Sequence, residues 1–136
     1  MEFGDVNTIL EIRAGFGLRR KSRYLEQDEY DIAWLAGILE GEGCFQLHRN
    51  SGGRSPVARL QLKMTDLDVV QRAAQIMCSE DKVKEIPRPD SFKEHYKTQY
   101  LCVVYGQTAK DVMRAILPYM GERRSEKIRE VLKCAY

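Results

Sequence analysis

Residues 34–45 read Trp-Leu-Ala-Gly-Ile-Leu-Glu-Gly-Glu-Gly-Cys-Phe, and this stretch decides how the rest of the chain is interpreted. Ala33, Gly37 and Gly41 recur every four residues, so in a helix they share one face. A face without bulky side chains allows a second helix to approach closely, while the larger apolar residues between them can join the protein's own core. The stretch therefore predicts a helix that pairs with another helix, with Ala33, Gly37 and Gly41 at the interface.

Glu42 is the residue in this stretch that points to chemistry. It comes at the carboxyl end of the predicted helix, where the helix dipole disfavours a negative charge. If two such helices pair, two Glu42 carboxylates approach each other and cannot both ionise cheaply without a cation. A divalent cation with oxygen ligands would resolve both problems. The alternative is that Gly-Glu-Gly is an ordinary helix end carrying a solvated glutamate.

The pattern of apolar residues predicts an α+β domain over residues 29–136, in the order α-β-β-α-β-β-α with an extra terminal helix. The predicted elements are a helix from Asp28 or Glu29 to Gly41, strands 44–49 and 57–63, a helix from Thr65 or Asp66 to Met77, strands 82–86 and 98–105, a helix capped by Thr108 that ends at Leu117, and a helix 122–134. The four strands are expected to form one antiparallel, saddle-shaped sheet with helices on one face. The other face is expected to be polar and basic, which suits the groove of a DNA duplex.

The net charge of the chain is only +2, but the basic residues are unevenly distributed. Residues 48–65 contain four basic side chains and no acidic one, and a local positive potential is what a phosphate backbone senses. The alternation of the strands predicts that Gln46, His48, Arg59, Gln61 and Lys63 face the groove. Further basic residues are predicted to contact phosphates: Arg49, Arg54, Lys84, Arg88, Lys93 and Lys97. For each of these, a solvated surface charge is the alternative.

Other features limit the class of protein. The four cysteines are widely spaced, so neither a zinc site nor a disulfide framework is indicated. No signal peptide or membrane span is visible, so we expect an intracellular protein. We expect it neither to associate with a membrane nor to use a small-molecule cofactor. Residues 1–28 contain five basic and five acidic side chains and are interpreted as a separate leader, which is either a flexible arm or a basic arm that contacts DNA phosphates.

The stretch Leu35 to Gly43, LAGILEGEG, resembles the signature of the LAGLIDADG homing endonucleases. Trp34 before it and Cys44-Phe45 after it also match. Residues 63–69 resemble the strand-to-helix junction of that family, and residues 118–124 resemble its final junction between helices. The resemblance spans about residues 29–134, and the signature occurs once.

The resemblance implies a homodimeric endonuclease that hydrolyses both strands of DNA with Mg²⁺ or Mn²⁺. It places the metal ligand on Glu42, where the family more often has aspartate, with Gly41 beside it, and a structural role on Glu40. Members with one signature cut a near-palindromic target across the minor groove and leave short 3′ overhangs. The protein is expected to belong to a mobile intron or an intein.

The resemblance also implies catalytic roles for basic and polar residues. Arg123, with Arg124 as the next match, stands where the family usually has lysine, and we expect electrostatic stabilisation from it, since arginine stays protonated. A last-turn surface arginine is the alternative. Met64 stands where the family often has a water-positioning glutamine, so Gln61 or Lys63 is expected to take that role.

Two other functions remain open from the sequence. One is a non-cutting nucleic-acid binder on the same fold, either an intron maturase or a transcriptional regulator. It is favoured by the two departures from the family pattern, which are arginine in place of the usual lysine and Met64 in place of the frequent glutamine. A dimerisation module is disfavoured by the basic strand face. Glu42 favours the nuclease, because a protein of this fold that has lost cleavage activity is expected to have lost that acid as well.

Overall fold

The structure, a computed structural model, describes residues 29–49, 52, 55–87 and 97–136. Its helices are α1 (Glu29–Glu42), α2 (Leu67–Ile76), α3 (Gly106–Ile116) and α4 (Glu122–Cys134), and its strands are β1 (Gly43–His48), β2 (Val57–Met64), β3 (Val83–Ile86) and β4 (Gln99–Tyr105). Short 3₁₀ turns, Glu80–Lys82 and Leu117–Tyr119, precede β3 and follow α3. This confirms the predicted α+β class and the order of its elements.

The four strands form one antiparallel sheet in the order β1-β2-β4-β3. The register pairs Gly43 with Leu62 and Gln46 with Arg59 across β1 and β2, and Arg59 with Tyr105 across β2 and β4. Arg59 therefore lies in the middle of three adjacent strands. Because side chains alternate along a strand, this register decides which residues share a face.

One face of the sheet is covered by the helices and forms the core. Leu60, Leu62 and Cys102 on the strands are fully buried against Leu39 of α1 and Met113 of α3. Burial raises the pKa of the Cys102 thiol to about 11, so this cysteine behaves as a core residue and stays protonated at neutral pH. The covered face thus follows the predicted alternation.

Several boundaries differ from the prediction. Thr108 was expected to cap α3, but the helix already begins at Gly106 and ends at Ile116. Gly106 has a φ of +63°, and this left-handed conformation, which glycine tolerates, turns the chain directly from β4 into the helix. Asp66 precedes α2 as predicted, although its side chain makes no capping hydrogen bond. Asp28, the other predicted start of the first helix, and the leader 1–28 lie outside the described residues.

Within the described ranges, none of the helices has the length and apolar character needed to cross a lipid bilayer.

Candidate nucleic-acid interface and acidic site

The uncovered face of the sheet, which we call the open face, carries the alternate residues of all four strands. Its members are Cys44, Gln46, His48, Val57, Arg59, Gln61, Lys63, Lys84, Ile86, Gln99, Leu101, Val103 and Tyr105. None of these described residues is acidic, whereas three are lysine or arginine. All five residues predicted to face the groove lie on this face. A basic surface without acids among its described residues has the charge that a nucleic-acid backbone requires.

Arg59 organises the centre of the open face. Its Nη1 donates to Gln46 Oε1 and its Nη2 donates to Gln61 Oε1, both at 2.7 Å. Its Nε donates a longer bond, 3.4 Å, to the Tyr105 hydroxyl. A single guanidinium therefore connects β1, β2 and β4 and holds two neighbouring carboxamides in a defined orientation.

Tyr105 also belongs to the open face, although it was not among the predicted site residues. The residue is 47% exposed. The His48 ring contacts it edge-on, with centroids 5.4 Å apart, and the Arg59 guanidinium lies 5.9 Å from its centroid. The alternation of β4 with Leu101 and Val103 was the signal that could have placed Tyr105 here. His48 is half-buried on the open face, as its alternation with Gln46 predicted.

Glu42 is the last residue of α1 and is exposed. The open face begins two residues later, since Cys44 is the first open-face residue of β1. In the described part of the chain, no side chain forms a hydrogen bond or ion pair with the Glu42 carboxylate. An exposed, uncommitted oxygen donor therefore lies at the edge of the open face.

The stripe of small residues on α1 leads to Glu42. Ala33, Gly37 and Gly41 are all exposed, and an added Cβ at either glycine would meet nothing within 4 Å. Tyr30, one turn earlier, is 75% exposed. The opposite side of α1 is buried in the core through Ile32, Leu35, Ala36 and Leu39. This exposed stripe is open to a partner along its length.

Glu40 fastens the end of α1 to the start of α4. Its Oε1 accepts a hydrogen bond from the Gly121 backbone N–H at 2.6 Å. The Arg124 guanidinium donates to the backbone oxygens of Glu40, at 3.1 Å, and Gly43, at 2.5 Å. Arg124 also lies 3.7 Å from the second Glu40 carboxylate oxygen and 5.8 Å from the centre of the Phe45 ring. These contacts hold the end of α1 against the start of α4, which is the kind of structural role expected for Glu40.

The two candidate arginines are distinguished by these contacts. Arg124 is largely buried, with 17% of its side chain exposed, and its donors are used within the fold. Arg123 is exposed and lines a groove that it shares with Cys44 and Gln46 at the edge of the open face. Arg123 is therefore the arginine with a guanidinium free to meet a bound molecule.

The end of β2 brings Lys63 to the same end of the sheet as Glu42. Gly43 pairs with Leu62, and Lys63 is the next residue of β2, exposed on the open face. Gln61 lies opposite Cys44, but its amide oxygen is held by Arg59. Met64 has the other parity and packs against the core, so it does not reach the open face.

The remaining predicted phosphate contacts are more scattered. Lys84 is exposed on the open face, and Arg49 and Lys97 are exposed beside β1 and β4. Arg54, Arg88 and Lys93 lie outside the described residues. Lys82, which was not predicted, lines a hollow of the open face with Arg59 and Lys84. Within the described ranges of a single chain, no group of three or more histidine, cysteine or acidic residues could hold a metal ion.

Comparison with known proteins gives a fold relationship. No protein-family model matches the chain, and no curated protein matches it by sequence. A crystal structure of the homing endonuclease I-CvuI, in complex with an I-CreI target in the presence of 2 mM Mg and with its DNA not cleaved, matches with a TM-score of 0.54. The identity is 19%, and the match covers 78% of this chain and 68% of the other. The chain thus has the fold of a homing endonuclease.

Proposed function

We propose that the protein is a homodimeric endonuclease that cuts double-stranded DNA at a near-palindromic site in the presence of Mg²⁺ or Mn²⁺. The observation that carries this proposal is the position of Glu42. It lies where the exposed small-residue stripe of α1 meets the acid-free open face. The fold shared with I-CvuI, which was crystallised with DNA and Mg, supports the same function.

Pairing of two chains follows from the α1 stripe. Two copies that pack through Ala33, Gly37 and Gly41 bring their helix ends, and therefore both Glu42 carboxylates, close to a common axis. The two open faces then extend to either side as one continuous basic surface. A two-fold protein reads a two-fold target, so the DNA site is expected to be near-palindromic.

The donor set at the end of α1 fits a hard divalent cation. Glu42 offers an exposed carboxylate, and Gly41 offers a backbone carbonyl beside it in the last turn. Within the residues that the structure describes, one chain offers no group of three or more possible metal ligands, and a second copy would supply the matching carboxylate. When bound, such an ion acts as a Lewis acid and lowers the pKa of water.

The other residues of the site act on the phosphate. Arg123 stays protonated and offers its charge to the scissile region from the neighbouring groove. Lys63 offers a second positive charge from the end of β2, and its ammonium can donate to a phosphate oxygen or to the attacking water. Cleavage is proposed to occur across the minor groove, where the two Glu42 side chains meet.

A non-cutting DNA binder on the same fold is the second candidate. It is favoured by Met64, which packs into the core rather than onto the open face, and by the lack of a group of three or more possible metal ligands among the described residues of one chain. Such a binder would use the open face for DNA in the same way but would have no cleavage activity.

Selection of duplex DNA from a random pool tests the proposal. Binding is selected in Ca²⁺, and the bound pool is then transferred to Mg²⁺. Enrichment of a near-palindromic site that is cut only after the transfer supports the homodimeric nuclease. Enrichment of a site that is never cut supports the non-cutting binder, and failure to enrich any duplex contradicts both.

A further inference from the structure

The hydrogen-bonding state of Gln46, Arg59 and Gln61 carries an inference that rests on the proposed function and deepens it. A guanidinium has donors and no acceptor. Each carboxamide that bonds to Arg59 therefore turns its oxygen toward the guanidinium. The two 2.7 Å bonds leave the NH₂ groups of Gln46 and Gln61 for any molecule on the open face.

We propose that Gln46, Arg59 and Gln61 together form a reading element that offers hydrogen-bond donors and selects guanine at the base pairs it contacts. The element presents two carboxamide NH₂ groups and the remaining N–H groups of the guanidinium. The described residues of the open face include no acid that could add an acceptor charge beside it. The complement of such a surface is an edge rich in acceptors.

In the major groove, guanine presents two acceptors, N7 and O6, whereas adenine presents one acceptor and one donor. A free glutamine reads adenine by using its oxygen and its nitrogen together. The oxygens of Gln46 and Gln61 are engaged by Arg59, so this bidentate contact with adenine is lost while the network holds. The structure therefore reverses the preference that the two glutamines would have separately.

The side chains of this reading element are also preorganised in the free protein. Gln46 and Arg59 are direct cross-strand partners, Gln61 lies two residues along β2 on the same face, and the Tyr105 hydroxyl supports Arg59 Nε from β4. Side chains that are ordered in the free protein lose less conformational entropy when they bind. Gln46 is exposed and the other two are half-buried, so their free donors remain accessible.

Two substitutions change the element in opposite ways. Arg59→Leu removes the guanidinium and frees both amide oxygens, so the preferred base at the contacted positions should change from guanine to adenine. Gln61→Glu keeps an oxygen for Arg59 and replaces the NH₂ donor with an acceptor, which should favour the N4 amino group of cytosine. From the usual value of a bidentate base contact, each change in preference should be about tenfold to a hundredfold.

The test is selection of binding sites from random duplex DNA in Ca²⁺ with the full-length protein and with each variant. Lys84→Ala is the matched control, because Lys84 is an open-face cation outside the network, and it should weaken binding on all sequences without changing the preferred bases. A second measurement needs no variant: 7-deazaguanine at the selected guanines removes the N7 acceptor and should weaken binding of the wild-type protein at least fivefold.

Guanine in the wild-type site, its loss in Arg59→Leu and the weakening by 7-deazaguanine together support the proposal. If Arg59→Leu weakens binding uniformly and 7-deazaguanine has no effect, the element contacts phosphate oxygens and the proposal is overturned, while DNA binding stands. If no duplex is enriched by the wild-type protein, the proposed function fails and this inference fails with it. Cleavage in Mg²⁺ is read separately and does not affect this result.

Discussion

The Glu40 carboxylate of α1 accepts a hydrogen bond from the backbone N–H of Gly121, the residue that precedes α4. Arg124, three residues later, donates to the backbone oxygens of Glu40 and Gly43. The last carbonyls of a helix have no partner within it, so these bonds satisfy groups that would otherwise depend on water. Glu42 lies between the two anchored residues, and its position at the edge of the open face is therefore set by α4.

This junction predicts different effects for the two neighbouring arginines. Arg124→Ala removes the donors to Glu40 and Gly43 and the ionic partner of the Glu40 carboxylate, so the free energy of unfolding should fall by about 2–3 kcal/mol. Arg123→Ala is the matched control, since Arg123 is exposed, and its effect on stability should stay within about 0.5 kcal/mol. Urea unfolding at a fixed protein concentration measures both. Equal losses of stability in the two variants would contradict a structural role for Arg124 alone. A normal cleavage rate in Arg123→Ala would exclude Arg123 from the catalytic site.

Gly43 is predicted to tolerate no side chain. An added Cβ would lie 2.6 Å from the backbone oxygen of Leu39 and 3.0 Å from its Cα, so the α1–β1 junction would have to move. Gly43→Ala should therefore cost about 1–3 kcal/mol, the usual range for overpacking a buried site. Gly52→Ala is the control, because a Cβ there meets nothing within 4 Å. Thermal unfolding of both variants decides the matter, and similar melting temperatures would show that the junction adapts.

Gly37 is predicted to affect assembly and not the single chain. A side chain at this position meets nothing within the protein, and glycine in a helix is itself unfavourable, so Gly37→Val should leave the fold of one chain intact. It should block the close approach of a second α1 helix and weaken the dimer by about tenfold to a hundredfold. Sedimentation at several concentrations measures this, with Gln71→Val on the exposed side of α2 as the control. A wild-type protein that stays monomeric with and without DNA would refute the paired site.

Glu42 is predicted to be needed for cutting and dispensable for binding. Glu42→Gln keeps the size of the side chain and removes the charge that a divalent cation requires. Cleavage in Mg²⁺ should fall at least about a hundredfold, the scale on which loss of one electrostatic stabiliser acts, while DNA affinity in Ca²⁺ changes little. Glu80→Gln, exposed before β3, is the control. Undiminished cutting by Glu42→Gln would exclude Glu42 as the metal ligand.

The sequence by itself determined those features of this protein that follow from the periodicity of its helices and strands. Alternation along β1 and β2 separated Gln46, Arg59 and Gln61 from the buried Leu60 and Leu62, and the four-residue spacing of small residues marked one face of α1. These predictions were correct because they depend only on the fixed periods of strands and helices. The fold class and the order of elements followed from the same periods.

The tertiary structure decided what depends on contacts between distant residues. It separated the largely buried Arg124 from the exposed Arg123, which are adjacent in sequence, because Arg124 contacts the end of α1. It placed Tyr105 beside Arg59 and turned the oxygens of Gln46 and Gln61 toward the guanidinium. A periodic pattern identifies the face on which a side chain lies, whereas its hydrogen-bond partner is set by the register of neighbouring strands, and that register exists only in the folded sheet.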